Sequence, residues 1–177
     1  VGRRPTARRL GAGWGRGRGG GGVCGAATVN APTGELERRR ATGRDGMRDG
    51  AFGLSTGLFY VPGNFTPLEE VVELQKVVAP YRGVHTSHMR DEASRVLDSV
   101  KETIAIGERG GVPTQISHHK IIGKSYWGKS VDTLKLVDEA RARGVDAPID
   151  GDPYPAASTR IGAWLFPQLA REGGGCA

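Results

Sequence analysis

The chain has 177 residues, with 25 Lys+Arg against 19 Asp+Glu, 29 Gly, 10 Pro and 2 Cys, a size that suits one domain or a piece of a larger one. No stretch approaches the ~20 apolar residues of a membrane span. Cys24 and Cys176 lie near opposite ends, which excludes a disulfide-scaffolded secreted domain and a Cys-only zinc module, and with no charged-then-apolar leader a reducing, cytoplasmic setting is expected.

The formal charge of +6 is unevenly placed. Residues 1–48 hold 11 Arg, no Lys and 3 acids, whereas residues 49–177 hold 14 Lys+Arg and 16 acids. The basic segment includes the run Gly15-Arg-Gly-Arg-Gly-Gly-Gly-Gly22 and almost no apolar periodicity before Thr28, so residues 1–30 read as a disordered Gly/Arg-rich arm that cannot bury enough surface to offset chain entropy. Such an arm can hold RNA by charge and guanidinium stacking. Here Trp14 is the one aromatic available for stacking, and the same residue types arise when a GC-rich gene is read out of frame, so a nucleic-acid partner is not favoured.

From Gly50 the pattern alternates short β-branched runs with amphipathic stretches, as parallel βα units do. An apolar strand-like run ends at Tyr60. A helix is expected from Thr66, with Pro67 in its first position and Glu69 completing a capping box, ending near Pro80. A strand follows from Gly83 to His88, then a helix from Glu92 to Arg109 that stops at Gly110-Gly111. Val112 to His118 reads as the next strand. Ser130 is expected to cap a third helix with Val131, Leu134 and Val137 on its apolar stripe, closing at Gly144. Val145 to Asp150 reads as a further strand and Ile161 to Arg171 as a last helix.

Tyr60, His88, His118 and Asp150 therefore end successive strands at intervals of 28, 30 and 32 residues. Equally spaced polar groups at strand ends are what a (β/α) barrel provides, because its site is assembled at the C-terminal ends of its strands. An open doubly wound sheet also gathers ligands there. A full barrel needs ~250 residues, so the fold expected for residues 31–177 is α/β: a partial (β/α)8 TIM-like barrel of about four consecutive βα units.

Side chains alternate along a strand, so Thr86 and His88 share one face and His85 points the other way. The same rule aligns Thr114, Ile116 and His118 and leaves His119 outward or in the loop. His88 and His118 then project from adjacent parallel strands about 4.8 Å apart, which suits two imidazole nitrogens about 2.0–2.1 Å from one zinc ion. A lone strand-end histidine is more often a plain rim residue; two on neighbouring strands favour a metal.

Four blocks occur in order: Gly50-Ala-Phe-Gly-Leu-Ser-Thr-Gly-Leu-Phe-Tyr-Val-Pro-Gly63, Ser87-His-Met-Arg-Asp-Glu92, Val112-Pro-Thr-Gln-Ile-Ser-His-His-Lys120 and Asp150-Gly-Asp-Pro-Tyr-Pro-Ala-Ala-Ser-Thr159. Together they resemble the D-aminoacylase (N-acyl-D-amino-acid deacylase) family of the amidohydrolase superfamily, over roughly Ala31 to Gly175. The resemblance implies a zinc-dependent barrel that hydrolyses the amide of N-acyl-D-amino acids, small-molecule substrates. It places His88 and His118 on metal-binding histidines and Tyr60, Lys120 and Ser158 on substrate-contacting residues, Lys120 being suited to the substrate carboxylate. Asp152 stands where the family usually has Tyr, so that contact is altered.

Simpler readings accompany these. Tyr60 could pack on Pro62, Lys120 could be a solvated loop charge, and Asp150 could cap the turn before Pro153. Asp91 and Glu92 read as charges that cap the first turn of the next helix. The resemblance also implies a general-base Asp from a later strand, beyond residue 177, and an upstream His-x-His; Cys24, in its Gly/Arg context, reads as a flexible thiol rather than a ligand. No catalytic residue is therefore expected within the chain, and little catalysis from it alone. The alternatives are another amidohydrolase acting on cyclic amides, or a noncatalytic RNA-associating protein using the Arg/Gly arm.

Overall fold

The structure, a computed structural model, describes residues 10–11, 33–60, 63–159 and 161. Four parallel strands lie side by side in chain order: β1 (Leu10–Gly11), β2 (Gly53–Gly57), β3 (Val84–His88) and β4 (Thr114–Ile116). Between and after them run α1 (Thr33–Arg48), α2 (Leu68–Val78), α3 (Val96–Gly110) and α4 (Ser130–Ala142). Each strand is hydrogen-bonded to the one before it, so the connection is a succession of βα units rather than a sheet that reverses its strand order.

The register fixes which side chains share a face. Leu54, His85 and Thr114 are level with one another, as are Thr56, Ser87 and Ile116. These residues are buried toward the helices. Leu54 joins Met47, Leu74, Val78 and Val112 in one apolar cluster, and Ile116 joins Val96, Val100, Ile104, Val137 and Ala140 in another. Each such aliphatic side chain contributes roughly 1.5–3 kcal/mol by leaving water. Within the same layer the imidazole of His85 lies between Thr56 Oγ1 at 2.9 Å and Thr114 Oγ1 at 2.7 Å. Ser55, Thr86 and Gln115 point to the opposite face, and so do Gly57 and His88.

Close approach of α3 to β4 depends on Gly107, where a Cβ would fall 2.4 Å from Thr114 Cγ2. The helix ends when Gly111 takes φ 71° and its N–H returns to the Gly107 carbonyl at 2.9 Å, a left-handed termination that glycine adopts readily.

Several expected elements are corrected. The capping box at Thr66 does not form: α2 starts at Leu68, its N-cap is Pro67, and no side chain caps it. Helix α3 starts at Val96 rather than Glu92, because Asp91 Oδ1 takes the N–H groups of Ala93 and Arg95 at 2.7 and 2.9 Å and holds residues 91–95 in a turn. The strand expected to end at Tyr60 is β2 and stops at Gly57, and Tyr60 follows in a turn, its N–H bonded to the Gly57 carbonyl at 3.1 Å. In α4, Ser130 is the first helical residue rather than the cap, and Val131 and Leu134 are exposed while Thr133, Val137 and Ala140 face inward. The strand expected over 145–150 is reduced to a single parallel bridge, Ile149 to Ile116, because Pro148 has no N–H to give to a ladder.

Helix α1 was not anticipated. Its sequence has little apolar periodicity, and it is held against α2 by ion pairs of Arg39 with Glu70 and Arg40 with Glu73, with Leu36 and Met47 beneath. Apart from β1, the arm assigned to residues 1–30 lies outside the described residues, as do Cys24, Cys176 and all but the first position of the helix expected from Ile161. Among the described residues no helix is long and apolar enough to cross a membrane.

Candidate active site

His88 closes β3 on the face away from the helices, as alternation requires. His118 reaches the same place by a different route. Thr114 and Ile116 both point toward the helices, so a strand continued through residue 118 would have turned His118 away from His88. Instead β4 stops at Ile116 and His118 adopts φ 43°, a left-handed conformation rare for a residue with a Cβ. Asp150 supports that conformation: its carboxylate accepts from the His118 N–H and from Gln115 Nε2, and its carbonyl accepts from the His119 N–H at 2.7 Å. His119 turns back toward α4, with Nε2 2.8 Å from Thr133 Oγ1.

His88 Nδ1 and His118 Nε2 now face each other, the rings 4.5 Å apart between centroids and tilted by 33°. Tyr60 stands edge-on to His88 at 5.7 Å, its hydroxyl 2.9 Å from Thr159 Oγ1. Lys120 Nζ lies 2.8 Å from His118 Nδ1 and donates to the His118 carbonyl at 3.0 Å. These groups, with Asp152 and Ser158, line one cavity of about 250 Å³. All five candidate residues, Tyr60, His88, His118, Lys120 and Ser158, therefore meet at a single site. A larger neighbouring cleft of about 670 Å³ is walled by Arg90 and Glu102. They form a side-chain pair that, with Arg90 Nη2 on the Thr66 carbonyl at 2.8 Å, ties α3 to the segment before α2.

Glu92 is the residue the sequence concealed. It is 4% exposed, with Oε1 2.9 Å from His118 Nδ1 and Oε2 2.8 Å from Lys120 Nζ. Its carbonyl accepts from the Ile122 N–H at 2.7 Å, pinning the loop that carries Lys120. Neither carboxylate caps α3, whose N-cap is Arg95 with no side-chain bond: Asp91 holds the turn before the helix, and its neighbour turns into the site. No local signal separates two carboxylates placed before a helix. Only the placement of a partly buried Lys120 beside a histidine, a distant feature, calls for a counter-ion.

The electrostatics follow from these neighbours. Burial pushes the His88 pKa below its ordinary value, and His118 adds to that push. The Glu92 carboxylate raises that of His118 against the effect of burial. Burial works to raise Glu92 itself, but His118 and Lys120 outweigh it and hold the carboxyl below its ordinary range.

Two convergent imidazole nitrogens are a donor set that zinc accepts. Among the described residues no group of three or more His, Cys, Asp or Glu side chains is placed to hold a metal.

No family profile matches the chain. Individual proteins do. The chain is 45% identical over 115 residues to the N-acyl-D-glutamate deacylase of Alcaligenes xylosoxydans xylosoxydans, covering 65% of this chain and 24% of that protein. It is 38% identical over 127 residues to the D-aminoacylase of the same organism, covering 72% and 26%. The chain is a relative of the D-aminoacylases. It spans about a quarter of the length of these curated relatives. Among solved structures, an N-acyl-D-glutamate deacylase from Bordetella bronchiseptica, complexed with zinc and a phosphonate mimic of the tetrahedral intermediate, superposes with TM-score 0.70 at 38% identity, over 73% of this chain and 27% of that one. A D-aminoacylase structure described as defining a novel subset of amidohydrolases superposes with TM-score 0.67 at 38% identity, over 70% and 26%.

Proposed function

We propose that this chain carries the metal-binding and substrate-binding corner of a zinc-dependent hydrolase of N-acyl-D-amino acids, built from about four consecutive units of a (β/α)8 barrel. The observation that carries the reading is the convergence of His88 Nδ1, at the end of β3, and His118 Nε2, in the turn after β4, over a cavity lined by Tyr60, Lys120 and Ser158. The relatives named for N-acyl-D-glutamate and D-amino-acid deacylation, and the zinc in the Bordetella bronchiseptica structure, support it.

In this reading His88 and His118 hold zinc. An ion held by these two residues would supply a bound water of lowered pKa and polarisation of the scissile carbonyl. Lys120 presents a compact positive charge at the cavity wall, toward which the substrate carboxylate is drawn. Tyr60, braced by Thr159, walls the cavity beside His88, and Ser158 supplies a hydroxyl at the rim. Asp152, in the same lining, disfavours a second carboxylate on that side and so bears on which acyl-amino acid is accepted. Among the described residues no third metal donor joins His88 and His118, and the chain alone is expected to turn over little or no substrate.

The experiment is zinc titration of the 177-residue chain with parallel assays on N-acetyl-D-glutamate, N-acetyl-D-aspartate and N-acetyl-D-methionine. Zinc binding that His88→Ala and His118→Ala each abolish is the expected result. Zinc retention unchanged in both variants would overturn the ligand assignment, and turnover at ordinary enzymatic rates would overturn the expected inactivity.

A further inference from the structure

The carboxylate of Glu92 is buried, and among the described residues no donor completes a hydrogen bond to its Oε1. That oxygen nevertheless lies 2.9 Å from His118 Nδ1, while Oε2 is 2.8 Å from Lys120 Nζ and Lys120 Nζ is 2.8 Å from the same Nδ1. Carboxylate, ammonium and imidazole thus form a closed triangle on the side of the His118 ring away from His88.

Neutral imidazole offers a lone pair at one nitrogen only when its proton sits on the other. The two neighbours of Nδ1 make opposite demands on that proton. Lys120 is donor-only, so its bond to Nδ1 leaves the proton on Nε2, where it blocks a metal. Ionised Glu92 is acceptor-only, so a bond from Nδ1–H leaves the Nε2 lone pair free and facing His88. A buried carboxylate oxygen lacking a donor, placed beside that nitrogen, is positioned to accept a hydrogen bond from Nδ1–H.

We infer that Glu92 is the positioning residue of this corner: it accepts the His118 Nδ1–H, so that Nε2 is turned to the metal, and as counter-ion it draws the Lys120 ammonium off the ring. This rests on the assignment of His88 and His118 as zinc ligands. A carboxylate behind a ligating histidine commonly strengthens metal binding about 10–100-fold.

The test titrates zinc into the full chain in competition with a chelating dye, for the wild type, Glu92→Gln, Glu92→Asp, Lys120→Met and His118→Ala. Glu92→Gln should bind zinc roughly 10–100-fold more weakly, Glu92→Asp should recover part of the loss, and Lys120→Met should stay near wild type. Wild-type affinity in Glu92→Gln, with His118→Ala impaired, overturns the role of Glu92 and leaves the zinc site standing. Affinity that His118→Ala does not move overturns the zinc site and this inference together. A loss in Lys120→Met equal to that in Glu92→Gln overturns it as well, since the pair would then act only as a strut. If Glu92→Gln fails to fold by circular dichroism, imidazole proton–nitrogen correlations on the zinc-loaded wild type decide. A proton on His118 Nδ1 supports the inference, and a proton on Nε2 with zinc at Nδ1 overturns it.

Discussion

His85 and His88 belong to one strand and point to opposite faces, and their surroundings give them opposite lives. His85 has no exposed surface, and both its nitrogens meet threonine hydroxyls. Burial alone pushes its pKa down to about 3, so it stays neutral and serves as a polar brace between β2 and β4. His88 is exposed at the strand end, and its Nδ1 meets another imidazole instead of a hydroxyl. Residue type therefore says little about a ligand until the face and the partners of each nitrogen are known.

The sharpest way to break this contrast is alanine at each position. His85→Ala leaves a cavity and strips Thr56 and Thr114 of their shared partner, and should cost roughly 3–5 kcal/mol in urea denaturation. A wild-type midpoint would remove the brace. A second cut at the same layer is Gly107→Ala, whose Cβ meets Thr114 within 2.4 Å. Overpacking there should lower stability by about 1–3 kcal/mol and appear as a depressed thermal midpoint.

The titration of His85 sharpens the contrast further. Its folded pKa of about 3 lies below the ordinary 6.5, so the unfolded chain takes up the proton first and stability falls as pH drops from 6.5 toward 3. At pH 5.5 the loss from this residue is about 1.4 kcal/mol. Comparing denaturation at pH 7.5 and 5.5 for wild type and His85→Gln should show that part of the slope vanish in the variant; identical slopes would mean His85 is protonated or exposed after all. The smallest expected effect belongs to His88→Ala without metal, within about 0.5 kcal/mol of wild type.

Much of this was legible in the chain itself. The roughly 30-residue recurrence of strand ends anticipated parallel βα units, and Tyr60, His88, His118, Lys120 and Ser158 do share a cavity. What escaped depends on distant partners. Helix α1 is secured by carboxylates on α2, which a local reading of an arginine-rich segment does not weigh. His118 was placed on the right side for the wrong reason: strict alternation points it at the helices, and only the left-handed turn clamped by Asp150 returns it. Asp91 and Glu92 both read as capping charges from their place before the helix, yet α3 starts at Val96 with no side-chain cap, Asp91 holding the preceding turn and Glu92 entering the site. The Thr66 capping box met the local rule and yielded to Pro67, whose extended backbone starts the helix later.

The origin of the corner within the chain has a consequence for how it is inherited. His88, Glu92, His118 and Lys120 all come from β3, β4 and the segments that immediately follow those strands, one crossover joined by α3, whereas Tyr60, Asp152 and Ser158 come from segments on either side. Change at Tyr60, Asp152 and Ser158 can remodel the cavity wall and leave the imidazole pair in place so long as Asp150, which clamps the His118 turn from outside the crossover, is kept. The crossover together with Asp150 should accordingly behave as a portable cassette that keeps the imidazole pair in place while the cavity wall changes around it.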